Sequence, residues 1–172
     1  VGHIVPGAEV TPSGAADNPF LMTGLTIRAA IPADAPALSG LIQRAVRTTN
    51  APDYTSEIID LICANFTPER VIQKMAEREV FAGVCDNAIA GTVSLGGGKL
   101  HSLFVDPHIQ RRGIGVRLVD HLEKHAAANG HRELWLSSSI TARRFYERLG
   151  YQLHKFEERR DGSTFLMSKT IE

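Results

Sequence analysis

The stretch Val105–Leu118, VDPHIQRRGIGVRL, joins the end of an apolar run to the start of a helical pattern through a polar turn. A turn between a buried strand and a helix N-terminus gathers unpaired backbone N–H groups. The helix dipole adds about half a positive charge at the same place. Gly113 and Gly115 remove side chains there, so an anion can approach the backbone closely, and Arg111 and Arg112 add charge at the rim. In physical terms the turn is a phosphate or pyrophosphate cradle; a glycine turn with two solvated arginines is the plainer alternative. It is not a Walker loop, because Gly115 is followed by Val116 and Arg117 rather than by Lys and Ser or Thr. A dinucleotide fingerprint would need a third glycine where Leu118 stands, and would open the first βα unit rather than lie in the second half of the chain.

Working outward, the sequence divides into short elements. Leu25, Ile27 and Ala29 alternate with polar neighbours, as in a strand. A helix follows with Leu38, Leu41, Ile42 and Ala45 on one face, Asp34 as its N-cap and Pro36 just inside. TTNAPDYTS (48–56) reads as a loop, and Thr55 or Ser56 caps a helix with Ile58, Ile59 and Ile62 on one side. Thr67-Pro68 opens another short helix. VFAGVC (80–85) and AIAGTVSL (88–95) flank Asp86-Asn87, a two-residue hairpin signal. Gly96–Gly98 breaks the chain before KLHSLFV (99–105), a strand apolar enough to be central. The helix after the glycine turn carries Gly115, Leu118, Val119, Leu122 and Ala126 as its apolar stripe and stops at Asn129-Gly130. ELWLS (133–137) is a strand, and TARRFYERLG (141–150) is a short helix with Ala142, Phe145, Tyr146 and Leu149 on one face. Two last strands surround Arg160-Asp161-Gly162. Strands alternating with helices in this order imply a mixed sheet with helices on both faces.

Bulk properties narrow the function. The 172 residues suit a single domain, and 19 basic against 19 acidic residues argue against a dedicated nucleic-acid binder. No apolar run approaches the ~20 residues of a membrane span. Cys63 and Cys85 lie apart without CxxC spacing, which reads as two buried thiols in a reducing compartment, so the cytoplasm is the expected location. Residues 1–21 are rich in Gly, Pro, Ala and small polar residues and have no period. They read as an extension, disordered or foreign to the domain, ahead of a single domain over 22–172; a short arm packing on a partner subunit is the alternative.

Two blocks together resemble the GNAT N-acetyltransferase family. Gln110-x-x-Gly113-x-Gly115, preceded by LFVDP, is similar to that family's acetyl-CoA loop, and ARRFYERLGY (142–151) to its A-x-x-FYE-x-x-GF segment. The separation of the two blocks fits one helix and one strand. The resemblance covers about Leu25 to Ile171. It implies an α/β (α+β) GNAT fold: a mixed, mostly antiparallel sheet of six to seven strands, about four helices on both faces, and a splay between strands 4 and 5. It implies acetyl-CoA as co-substrate and no metal. Gln110, Arg111, Arg112, Gly113, Ile114, Gly115 and Val116 are the expected pyrophosphate loop, with the N–H groups from Arg111 to Val116 as donors. Leu103, Phe104 and Val105 are expected along the pantetheine arm, on a strand that bulges, with the Leu103 N–H aimed at the thioester oxygen. Tyr146 matches the tyrosine that protonates the leaving thiolate, although it could also be plain core. Ser139 stands where many relatives carry an asparagine that touches the cofactor.

Direct attack by an amine requires a proton acceptor. His101 precedes Leu103 by two residues, which places both side chains on one strand face, and it matches a strand histidine of the arylalkylamine acetyltransferases. Water alone, with His101 structural, is the other reading. His121 and His125 lie in HLEKH, which is not the HExxH zinc pattern. For the acceptor, Asp53 and Tyr54 resemble an Asp-Tyr pair of small bacterial-type members, with Asp53 either attracting an amine or capping the next helix. The acceptor is expected to be a small-molecule or peptide amine, without nucleic-acid or membrane partners, and a homodimer is the open option for assembly. A GNAT-fold module that binds CoA without turnover is the alternative function. The intact Tyr146 and the unbroken Gln110–Gly115 loop favour the enzyme.

Overall fold

The computed structural model describes residues 24–172; residues 1–23, and with them the expected extension, lie outside it. The strands are β1 (Thr26–Ala29), β2 (Glu79–Cys85), β3 (Ala88–Gly96), β4 (Lys99–Val105), β5 (Glu133–Ser139), β6 (Gln152–Glu157) and β7 (Thr164–Thr170). The helices are α1 (Ala35–Ala45), α2 (Ser56–Ala64), α3 (Pro68–Glu77), α4 (Ile114–Ala128) and α5 (Arg143–Arg148), the five read from the sequence, where the resemblance implied about four. The seven strands form one sheet in the order β1-β2-β3-β4-β5-β7-β6. All neighbours are antiparallel except β4 and β5, whose parallel pairing is confined to Lys99 with Trp135 and Leu100 with Leu136. Beyond Leu136 the two strands part, as expected of the splay.

Turn chemistry sets the register. Asp86 and Asn87 both take positive φ (49° and 61°), the geometry of a tight turn matched to strand twist, and close the pair Cys85–Ala88. Gly97 and Gly98 (φ 56° and 72°) do the same between Gly96 and Lys99. Thr55 caps α2, its Oγ1 accepting from the Ile58 N–H at 3.4 Å. The loop expected at 48–56 begins instead as a π-helical turn, Val46–Asn50, that prolongs α1.

Two apolar layers hold the sheet. On one face, Ile114, Leu118, Val119, Leu122 and Ala126 of α4 pack on Leu25, Phe81, Val93, Leu95, Leu100, Leu134 and Leu136, all buried. Each such leucine contributes about 1.5–3 kcal/mol. On the other face, α1 and α2 close over Ile89 and Phe104, and α1 and α3 over Val80 and Ile89. The apolar stripe read from α1 is buried as expected. The helix α4 sits close to the sheet because Gly83 and Gly91 face each other across β2 and β3. A Cβ on Gly91 would lie 2.8 Å from Leu118 Cδ1 and 3.0 Å from the Phe104 carbonyl oxygen.

Candidate active site

The site forms where the sheet comes apart. Opposite β3, His101 pairs with Ser94 and Phe104 with Thr92, so Ser102 and Leu103 together oppose Val93 alone. This is a β-bulge, with Ser102 at φ 53°. It reverses the side-chain alternation: Leu100, Leu103 and Val105 pack toward α4, whereas Phe104 packs toward α1 and α2. His101, one residue after Leu100 and before the bulge, therefore lies on the face opposite Leu103. The sequence expectation that they share a face is overturned, because simple period-two counting does not survive an inserted residue. Past the bulge, the Asp106 N–H donates to the Ala90 carbonyl at 2.9 Å, continuing the β3 ladder. By alternation the N–H of Val105 points away from β3, toward the gap.

One end of the gap meets the glycine turn. Arg111 (φ 65°) and Gly113 (φ 75°) are both left-handed, and α4 begins at Ile114. The first N–H groups of this helix of 15 residues are therefore presented at the turn. Gly115 has no room for a side chain to grow freely, since a Cβ there would stand 3.3 Å from Phe145 Cζ. The Gln110 side chain is turned to the fold: its Nε2 donates to Thr49 Oγ1 at 3.0 Å and to the Val105 carbonyl at 3.4 Å. Arg44 pairs with Asp106 at 2.9 Å on the same side. These contacts tie the turn to α1.

The cleft that results has a volume of about 850 Å³. Its lining brings together His101, Leu103–Val105, Gln110, Arg111, Gly113–Val116, Ser139, Tyr146 and Tyr54. Arg112 is exposed on the turn but is not among the lining residues. Tyr146 is buried, edge-to-face with Phe145 and Tyr151 at 5.2 and 5.6 Å. Burial holds its phenol above the usual range, so the hydroxyl keeps its proton. The Ser139 Oγ accepts from the Ala142 N–H at 3.2 Å, opening the turn into α5. His101 is half-buried, and its pKa is pushed down to about 4 by desolvation first, then by Arg78, Lys99 and, more weakly, Lys74.

Asp53 and Tyr54 part company. The Tyr54 hydroxyl donates to the Ser163 carbonyl at 3.0 Å and accepts from the Ile140 N–H at 2.9 Å. Asp53 does not line the cleft; its Oδ2 accepts from Thr141 Oγ1 at 2.7 Å, beside Arg143 and Arg144 in an adjoining depression. Nor does it cap α2, a role Thr55 takes. Together the two residues fasten the α1–α2 connection to the β5–α5 and β6–β7 loops. Lys99, Ser137 and Thr164 also line the cleft and went unread in the sequence, and Arg159 lines it from the last hairpin, where the acceptor was expected to enter. Lys99 and Ser137 carried one signal, their place on the two central strands.

Among the described residues no group of three or more His, Cys, Asp or Glu side chains could hold a metal ion. No helix there is long and apolar enough to cross a membrane. The profile of the family described as "Acetyltransferase (GNAT) domain" matches residues 50–171. The Escherichia coli K12 protein called uncharacterized N-acetyltransferase YafP is 31% identical over 134 residues, covering 78% of this chain and 85% of that protein. A GCN5-related N-acetyltransferase of Rhodopseudomonas palustris has the same fold (TM-score 0.82, 22% identity, covering 88% of this chain and 98% of that one). So does the PaiA N-acetyltransferase of Thermoplasma acidophilum, solved in complex with coenzyme A (TM-score 0.74, 21% identity, 86% and 99% covered). With the bulged, splayed sheet, the glycine turn and a family match over most of its length, this chain belongs to the GNAT acetyltransferases and is an acyltransferase.

Proposed function

We propose that the chain moves an acetyl group from acetyl-CoA to a primary amine by direct attack, with both substrates bound in one cleft. The observation that carries this reading is the gap between β4 and β5, which runs from the glycine turn to the opposite face of the sheet and has Tyr146 in its wall. The residues suit the cofactor. Arg111 to Val116 offer the backbone N–H groups of a helix start, with two left-handed residues in the turn that leads into it, a setting that suits a pyrophosphate. Leu103, Phe104 and Val105 offer a strand edge that no strand among the described residues occupies, the geometry for an extended pantetheine arm.

Bound acetyl-CoA supplies the activated thioester. The chain's own groups do the rest. The Leu103 N–H donates to the thioester oxygen as negative charge gathers there. The Tyr146 hydroxyl gives its proton to the departing sulfur. His101, neutral down to about pH 4, is too weak a base to strip a resting ammonium group. It suits the more acidic ammonium that forms as the amine attacks, with water as the relay. Much of the acceleration comes from holding the reactants in line.

The test combines two measurements. Coenzyme A should raise the melting temperature, by about 2.7 kcal/mol of stability at a hundredfold excess over its Kd, and ATP should do far less because it lacks the arm. Thiol release from acetyl-CoA should then appear with at least one member of an amine panel. Equal stabilisation by ATP, or coenzyme A binding without turnover of any amine, would remove the reading. In the second case the CoA-binding module would replace it.

A further inference from the structure

The two ends of the cleft differ in what they can hold. The charged side chains lining it are Lys99, Arg111, Arg148, Arg159 and Asp161. Arg111 belongs to the glycine turn. At the other end stand Lys99 and Arg159 against Asp161, a balance of two positive charges and one negative. Asp161 is already paired with Arg159 at 3.4 Å. Lys99 donates to the Ser137 hydroxyl at 2.9 Å, and no described carboxylate pairs with it. Glu157 feels its field but is held by Lys155 at 2.9 Å. Lys99 and His101 precede the bulge at i and i+2, so they share a face. The carboxylate that could have drawn a cationic amine, Asp53, is outside the cleft and bonded to Thr141.

We infer that the acceptor is a small amine bearing one carboxylate, held by the Lys99 ammonium with Arg159 at the rim. The inference rests on the acetyltransferase reading and narrows its substrate. A polycationic acceptor would meet like charge with only Asp161, already paired with Arg159, to offset it. A single carboxylate balances the net positive charge of this end. The same field has a second effect. Cations near a bound amine favour its neutral form, which is the form that attacks. Burial first, and then Arg78 and Lys99, depress the titration of His101 on the same strand face.

The experiment follows thiol release from acetyl-CoA with matched acceptors: phenylalanine against phenethylamine, methionine against 3-(methylthio)propylamine, and β-alanine against ethylamine. At least one carboxylate partner should exceed its plain amine in kcat/KM by about tenfold or more, and Lys99→Met should raise KM for that carboxylate by about tenfold while moving the plain amine's KM by no more than about twofold. Lys99→Arg should keep the preference. As a check independent of turnover, the N-acetyl product of that acid should raise the melting temperature of the coenzyme A complex in the wild type and not in Lys99→Met. Plain amines turning over as well as their acids, or an equal loss for both in Lys99→Met, overturns the inference. So does coenzyme A stabilisation with no carboxylate acceptor turned over. Loss of coenzyme A stabilisation altogether takes down the acetyltransferase reading, and this one with it.

Discussion

Tyr146 and His101 are tuned in opposite senses by the same burial. Loss of water favours the neutral form of each, which is the proton-bearing phenol in one case and the proton-free imidazole in the other. A donor and an acceptor are thus ready at neutral pH without any charge of their own. Tyr146→Phe keeps the ring contacts to Phe145 and Tyr151 and should lower kcat by about 10- to 10³-fold, at or below the usual range for a general acid, with the coenzyme A melting shift intact. Unchanged kcat would return Tyr146 to a packing role. For His101 the folded pKa of about 4 lies below the 6.5 of a free imidazole, so between those values the unfolded chain binds more protons. Its contribution to stability is therefore full above pH 6.5 and falls away as the pH drops toward 4. His101→Gln should flatten the acid side of a plot of melting temperature against pH over that window, relative to wild type. Parallel plots would show that the imidazole titrates normally. Near neutral pH, kcat/KM should follow the substrate amine alone.

Among the elements, β4 and α4 show what the sequence carried and what it hid. The Asp86-Asn87 hairpin, the α1 stripe and the start of α4 were legible because each is a local matter of φ, capping and period. The family blocks placed the Gln110–Gly115 turn and Tyr146 in one cleft, where they are. The bulge at Ser102 was not legible from strand periodicity, which read an unbroken alternation from His101 to Leu103, and only the resemblance hinted at it. Asp53 found a partner 88 positions away in Thr141, and Lys99 acquired meaning only beside Ser137; both depend on how distant segments meet. The glycines of β2 and β3 were passed over as strand residues, yet they set how near α4 lies. Gly91→Ala places a methyl group 2.8 Å from Leu118 Cδ1 and 3.0 Å from backbone oxygen that cannot move aside. It should cost about 1–3 kcal/mol, read as a lower urea midpoint at unchanged slope. An unaltered midpoint would mean that α4 lifts freely from the sheet.

At the scale of the whole molecule, the two halves of the sheet meet along one short parallel seam, with α4 packed across both on one face and loops joining them on the other. Tyr54 is central to it, since one hydroxyl joins Ser163 and Ile140 across 109 and 86 residues of sequence. Tyr54→Phe should cost only about 1 kcal/mol, because water can replace a lost partner at the exposed Ile140. Its larger effect should fall on the acceptor, raising KM for the amine while the coenzyme A melting shift stays as it was. A change in coenzyme A affinity instead would place Tyr54 on the cofactor side. The seam has one more property. It contains the single tryptophan of the chain, Trp135, in register with Lys99 and with its ring 4.8 Å from that of His154. The native protein therefore carries its own optical label at the hinge line of the sheet: selective excitation of indole emission reports on that one place, and a ligand that pries the strands apart or draws them together announces itself as a change in colour or brightness, without any dye attached.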